Sequence, residues 1–227
     1  MIPAQVFNRI FQIHFNKRLA SCFLMEFEDK QYIITAKHVV HDIGTEDIIE
    51  FKKKDKLIPY KANLVGHSNF SDISVLSINY YIETFPLEFS SQGIIWGQDL
   101  YFLGFPFGLN FDVGEKNRGF DMPFVKKSIV SAISIKEPDG ILFLDGINNP
   151  GFSGGPVAFQ DLISKKFKIA GVISGYRTDS RPALINNEEN DFIMFKENTG
   201  IITAYSIENA IQIIKDNPIG MPVIKRT

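Results

Sequence analysis

The sequence contains a single cysteine, Cys22, in 227 residues. That excludes an internal disulfide and fits a reducing compartment; the fold has to rest on its core alone. Charge of one sign is also lacking: 24 basic and 26 acidic residues give a formal net charge of −2. A nucleic-acid or anionic-membrane surface built on a basic excess is therefore not expected. No apolar run approaches the roughly 20 residues a membrane helix needs. The opening MIPAQVFNRIFQIHFNKR has no basic segment followed by an apolar one, as a secretory signal would. The expectation is a soluble, cytoplasmic protein. Histidines number four. His38 and His41 stand three apart, but no carboxylate or cysteine cluster completes a site, so no metal and no cofactor is expected. No heptad, internal repeat or low-complexity tract occurs.

What is present is a core and a strand pattern. Hydrophobic residues are 44% of the chain, with 21 phenylalanines, enough bulk for a large domain. Phe11, Ile13 and Phe15 alternate with Gln12 and His14, which predicts a half-buried strand with the polar pair outward. Further strands are predicted over 22–28, 31–36, 47–53, 56–65, 72–79, 100–105, 126–135, 140–145, 156–160, 166–175 and 198–204. Cys22 reads as a small buried strand residue, and the five methionines as scattered core or loop positions. Asn16-Lys17-Arg18 and Glu28-Asp29-Lys30 read as turns, and Lys52–Lys56 as a solvated hairpin tip. Residues 80–97 read as a connector, 110–124 as a long surface loop, and 180–190 as polar and irregular. Ile207, Ala210, Ile211 and Ile214 fall at helical spacing behind Ser206, a candidate cap, and Asn217-Pro218 ends that helix. A dozen strands and one helix imply an all-β barrel or sandwich architecture.

The chemistry centres on Asn149-Pro150-Gly151-Phe152-Ser153-Gly154-Gly155-Pro156-Val157. Glycines permit close approach and leave backbone N–H groups free to point inward. A hydroxyl among them suits a nucleophile beside an oxyanion hole, though a Gly-rich turn with an incidental serine has the same composition. Such a serine needs a base, usually a neutral histidine oriented by a carboxylate. His14 lies mid-strand, His67 in a polar turn, His41 at a loop start, and His38 at the end of an apolar strand.

Three motifs then fall in order. Thr35-Ala36-Lys37-His38-Val39-Val40, Ser71-Asp72-Ile73-Ser74-Val75-Leu76 and Gly151-Phe152-Ser153-Gly154-Gly155-Pro156-Val157 resemble the His, Asp and Ser elements of chymotrypsin-fold serine peptidases. Leu103–Leu109, Ser128–Ala132, Asp145–Pro156 and Gly200–Ile214 are similar to segments of the HtrA/DegP-type peptidase domain, so the likeness runs from about residue 10 to 214. It implies two six-stranded antiparallel β-barrels with a C-terminal helix. One trypsin-like peptidase domain would span 1–227, with an N-terminal barrel over about 10–85, a C-terminal barrel over about 98–205 and a helix over about 206–217.

The resemblance implies Ser153 as nucleophile, His38 as general base and acid, and Asp72 as orienting carboxylate. It implies an oxyanion hole from the backbone N–H groups of Gly151 and Ser153, a polypeptide substrate, and a substrate-pairing strand at Ile173-Ser174-Gly175. Ile147 stands where basic-specific relatives carry Asp, so an apolar pocket floor and a small or medium apolar P1 residue are expected. Phe152 stands where secreted trypsin-like enzymes have the Asp that pairs with a new N-terminus, so activation by N-terminal cleavage is not expected. Lys37 is expected to point to solvent. Residues 215–227 leave no room for a PDZ domain, so regulation through one is not expected. Three function classes follow: an active serine endopeptidase, a peptide-binding module on the same fold, and a latent peptidase whose oxyanion loop is ordered by a partner. No oligomeric state follows from the sequence.

Overall fold

Paired left-handed residues start the first barrel in the computed structural model, which describes residues 1–134, 140–186 and 188–224. Asn16 and Lys17 have φ of 47° and 65°, and Glu28 and Asp29 have 49° and 57°. Two consecutive residues of positive φ make the tight turn whose twist matches its flanking strands. These turns join β1 (Ile10–Phe15), β2 (Arg18–Phe27) and β3 (Lys30–Ala36). With β4 (Asp47–Lys53), β5 (Lys56–His67) and β6 (Ile73–Ile78) they form an antiparallel sheet in the order β3-β2-β1-β4-β5-β6. Pairing of β3 with β6 closes it.

The second barrel repeats the plan. After the two-residue β7 (Glu88–Phe89) come β8 (Asp99–Gly104), β9 (Phe124–Ile133), β10 (Ile141–Asp145), β11 (Pro156–Gln160), β12 (Phe167–Ile185) and β13 (Glu188–Ser206). The order is β11-β8-β9-β10-β13-β12, closed by β11 with β12. β7 adds to β12 in parallel, and β14 (Met221–Pro222) adds to β3. The helical turns α1 (Ala4–Phe7) and α2 (Lys37–Val40), two 3-10 turns (Pro106–Gly108 and Gly114–Asn117) and the helix α3 (Glu208–Asp216) complete the described elements. The expected two six-stranded antiparallel barrels and C-terminal helix are thus present. Among the described residues no helix is long and apolar enough to cross a membrane.

Each barrel has its own filling, and a third cluster joins them. Phe11, Phe51, Leu24 and Leu76 fill the first, and Phe102, Phe152, Phe159 and Ile202 the second. Phe23, Ile73, Leu103, Phe105, Ile169 and Ile214 pack between them. Helix α3 therefore seals the junction: Asn217 Nδ2 donates to Val65 O at 2.8 Å. The connector is fastened too, since Gln31 exchanges hydrogen bonds with Ile82 O (2.7 Å) and Ile82 N (3.0 Å). Fixing both barrels on one apolar seam holds side chains from each at a constant separation.

Several local expectations change. Gln12 is buried, because its face of β1 looks onto the second barrel rather than water; a Cβ on Gly108 would lie 3.3 Å from Gln12 Nε2. Residues 180–190, apart from position 187, are not irregular: they belong to the β12–β13 hairpin, whose ladder continues to Ile185 and Glu188. The 126–135 strand ends at Ile133, and position 135 lies outside the described residues. Ser206 sits one residue before the N-cap position of α3, and the Glu208 N–H reaches its hydroxyl at 3.4 Å. The Lys52–Lys56 tip carries the 110–124 loop: Lys53 Nζ stands 5.0 Å over the Phe120 ring, and Lys54 pairs with Glu115 at 3.1 Å.

Candidate active site

Strand β3 runs out at Ala36, and the chain turns at once into α2. This places His38 on a single helical turn beside Asp72, the residue just before β6. Asp72 holds the histidine at two points. Its Oδ1 accepts the His38 backbone N–H at 2.8 Å, and its Oδ2 lies 2.6 Å from His38 Nδ1. The backbone adds a third tie, Lys37 N–H to Asp72 O at 3.1 Å. The second barrel supplies a further donor, the Ser174 hydroxyl, 2.7 Å from Asp72 Oδ2. Burial by itself would raise the Asp72 pKa; hydrogen bonds from His38 and Ser174 outweigh it and hold the carboxyl below the ordinary range. An anionic Asp72 fixes the tautomer with the proton on Nδ1, which leaves Nε2 as an acceptor. The His38 side chain remains 53% exposed against 20% for Asp72, so its far edge is open to solvent.

Ser153 arrives from the second barrel on the loop between β10 and β11. Its hydroxyl donates to Ser174 O at 3.0 Å. Ser174 thus touches both partners: its hydroxyl faces Asp72 and its carbonyl faces Ser153. The loop is pinned from four sides. Gly154 N–H donates to Ile173 O (2.7 Å), Ile173 N–H to Gly155 O (2.9 Å), Ser21 N–H to Ser153 O (2.9 Å) and Phe107 N–H to Pro150 O (2.7 Å). Ser21 Oγ, buried in β2, donates to Gly151 O at 2.7 Å and accepts the Phe105 N–H at 3.0 Å.

Position 151 has to be glycine. Its φ is +104°, and a Cβ there would stand 2.3 Å from Phe105 O. Pro150 O is turned to Phe107, so across the trans peptide the Gly151 N–H points the opposite way. Among the described residues, neither the Gly151 nor the Ser153 N–H has a protein acceptor, whereas those of Phe152, Gly154 and Gly155 are all used. Two unassigned donors flank the serine.

Phe152 is the loop's anchor. It is fully buried in the second barrel's core, edge-on to Phe102 with ring centroids 5.0 Å apart. Lys126 Nζ lies 5.8 Å over its ring, donates to Asn149 Oδ1 at 2.9 Å and also contacts Ile147 O. Burial lowers the Lys126 pKa.

Other expected positions fall differently. Ile147 is 53% exposed, so it is no buried apolar floor; the buried residue of that turn is Asn148, whose carbonyl takes Asn198 Nδ2 at 2.7 Å. Ile173 is buried, and both of its backbone groups hold the loop that carries Ser153, so they are not open to a substrate. Gly175 has open space where a Cβ would be. Lys37 does not point to solvent: its Nζ donates to Ser68 O at 2.9 Å. Of the other histidines, His41 Nδ1 sits 3.1 Å from His38 O and His67 Nδ1 2.6 Å from Ser74 Oγ. Among the described residues no His, Cys, Asp or Glu group could hold a metal. Sequence reading missed Ser21 and the Ser174–Asp72 bond. The one available signal was a serine set in an apolar stretch of each strand, 19–25 in β2 and 169–175 in β12.

Two closed barrels with a His–Asp pair and a serine at their junction define the chymotrypsin-like fold. The chain belongs to the trypsin-like peptidase family, whose domain model matches residues 20–161. Among solved structures, the chain is similar to Rv3671c of M. tuberculosis in an inactive mutant form. There it shares 15% identity at a TM-score of 0.60, over 97% of this chain and 92% of that one. It is also similar to the HtrA-type protease AlgW with a tripeptide, at 21% identity and a TM-score of 0.62. That match covers 94% of this chain but 61% of AlgW, so the chain spans less than two thirds of that protein. No curated protein sequence matches the chain at a significant level.

Proposed function

We propose that this chain is a serine endopeptidase that hydrolyses polypeptides through an acyl-enzyme. The observation that carries the reading is the coincidence of a 2.6 Å His38–Asp72 bond with unassigned Gly151 and Ser153 N–H groups beside one serine. Ser153 Oγ bonds the scissile carbonyl carbon as its proton passes to His38 Nε2. The carbonyl oxygen, now an anion, is held by the N–H groups of Gly151 and Ser153. Asp72 stabilises the imidazolium. The C–N bond breaks as His38 returns the proton to the leaving amine. Water, deprotonated by His38, then releases the acid and restores Ser153.

The Ser153 hydroxyl first has to leave Ser174 O for Nε2. A substrate strand added at Ser174–Gly175 supplies an N–H to that same carbonyl. Substrate binding therefore competes the hydroxyl away and turns it toward His38. The bond to Ser174 O also favours a second reading, a latent peptidase switched on by a partner.

Labelling with a fluorophosphonate separates these readings. Labelling of the wild type that is lost in Ser153→Ala is expected. No labelling under any condition would sink the enzyme reading, and labelling only after a partner is added would establish the latent one.

A further inference from the structure

Strands β12 and β13 are each 19 residues long, far more than the barrel uses. β11 covers only Phe167–Val172 of β12, and β7 only Lys168 and Ile169. Beyond them the two strands continue as a hairpin arm paired to Ile185 and Glu188. From Ser174 to Ile185 the outer edge of β12 has no strand partner among the described residues. At about 3.3 Å per residue this edge is roughly 40 Å long. Its near end is Ser174, whose carbonyl lies 3.0 Å from Ser153 Oγ.

The arm's other edge leads nowhere comparable. β10 covers β13 over Ile201–Tyr205, Gly200 O takes the Gly146 N–H at 2.9 Å, and Asn198 is bonded to Asn148. The β13 edge therefore closes against the nucleophile loop.

The arm mixes charged and apolar side chains. Arg181 Nε lies 3.3 Å from Asp179 and 3.2 Å from Glu197. Apolar side chains are exposed beside and beyond it, Leu184 67%, Phe192 96%, Ile193 51%, Met194 54% and Phe195 49%, and Glu188 and Glu189 stand opposite Ile185 and Leu184 at the far end. Met194 and Phe195 pair with Pro182 and Arg181, and Phe192 and Ile193 fall in the register shift between Met194 and Asn190. The free edge itself is polar from Arg177 to Arg181 and cannot donate at Pro182; the exposed apolar side chains at 192–195 stand beside it on β13.

We propose that the arm is an extended substrate-binding strand, which captures an unfolded, apolar-rich segment of the polypeptide and feeds it into the active site. The inference rests on the peptidase reading. The segment runs antiparallel to β12. Residues next to the scissile bond pair at Ser174–Gly175, and the amino-terminal stretch lies along the arm toward Ile185. Main-chain hydrogen bonds supply affinity without sequence preference, and the exposed aromatic and aliphatic side chains supply a preference for apolar segments. Continuity with the strand at Ser153 selects this occupant over a second copy, which would cover the edge that leads to the nucleophile.

The test replaces residues 179–197 by Asn-Gly, which leaves Thr178 paired with Asn198 across a two-residue turn. A second variant keeps the arm and carries Phe192→Asp with Phe195→Asp. The substrates are a short chromogenic peptide confined to the residues around the scissile bond and a permanently unfolded carboxymethylated protein. Both variants should raise KM for the unfolded protein about 10- to 100-fold, the sum of a few lost cross-strand pairs, and leave the short peptide unchanged. Equal loss on both substrates, or no change on either, would overturn the proposal. So would a dimer in the wild type that both variants dissociate, with parallel losses. If the wild type shows no fluorophosphonate labelling, the peptidase reading fails by itself. Fluorescence anisotropy of the labelled unfolded protein with the Ser153→Ala chain then decides for the arm, which requires binding that the truncation abolishes.

Discussion

Replacing Phe152 by alanine separates an anchor from ordinary core. Phe152 is fully buried, packs edge-on to Phe102 at 5.0 Å and has Lys126 over its ring. Phenylalanine-to-alanine changes in a core cost about 3–5 kcal/mol. In a domain of this size each kcal/mol lowers Tm by about 2–4 °C, so a fall of roughly 6–20 °C is expected. Phe159→Ala is the control, because Phe159 is equally buried in the same cluster but lies on β11, past the loop. The two variants should lose similar stability and differ in rate. Without the ring, nothing apolar indexes the peptides on either side of residue 152, and the Gly151 donor loses its orientation. Loss of one oxyanion donor costs about 100- to 1,000-fold in kcat. Phe152→Ala should show that loss with KM nearly unchanged, measured well below both melting points, while Phe159→Ala keeps most of its kcat. Phe152→Leu, which refills most of the volume, should recover the rate. Equal kcat losses in the two alanine variants, or a fully active Phe152→Ala, would refute the anchor.

Ser174→Ala removes a hydroxyl 2.7 Å from Asp72 Oδ2 while keeping the carbonyl. A hydrogen bond to a charged group is worth about 1.5–3 kcal/mol, so kcat should fall about 10- to 100-fold with KM retained; an unchanged kcat would refute the role. Stability should fall in acid in two stages. Burial, with the positive charges of Lys37 and His41, holds the His67 pKa below 6.5, so the unfolded chain takes up that proton first and stability drops as pH falls through 6.5. His14 is lowered in the same direction, mainly by burial. The Asp72 pKa lies below 3.8 when folded, so its contribution is present above 3.8 and is lost as pH falls through the folded value. Melting temperatures across the acid range check both stages. A flat Tm from pH 7 to about pH 5 would contradict the first, and His67→Gln should weaken it.

The strands were legible because the barrels are amphipathic: β1, β4 and β11 have the bounds that alternation and turn residues predict. The candidate site was legible through motif order alone, since His38 meets Asp72, and Ser153 reaches that pair through Ser174, only in three dimensions. The misses share a physical cause, which is that period-two reasoning assumes water on one face. Gln12 faces the other barrel, so its polarity gave the wrong side. The β12–β13 arm lies outside the barrel, so apolar and polar residues mix along it and no alternation survives. Ile147 and Asn148 show the same limit inside a loop, where backbone path rather than hydropathy decides which side chain turns inward.

The residue beside Ser153 ties these observations together. An ion pair at position 152 would order the loop only when its partner amine exists and carries charge. A phenylalanine orders it by filling core volume, a force that needs no cleavage and does not titrate between pH 3 and 10. The state of the 149–155 loop is thereby coupled to the packing of the second barrel. Pro150 O on Phe107 and Gly151 O on Ser21 Oγ then set the peptide orientation from the barrel junction. What stays adjustable is the Ser153 hydroxyl, which rests on Ser174 O, the one acceptor that an incoming strand would also use. In this arrangement the loop is built by folding, and under the proposed function the serine is released by substrate.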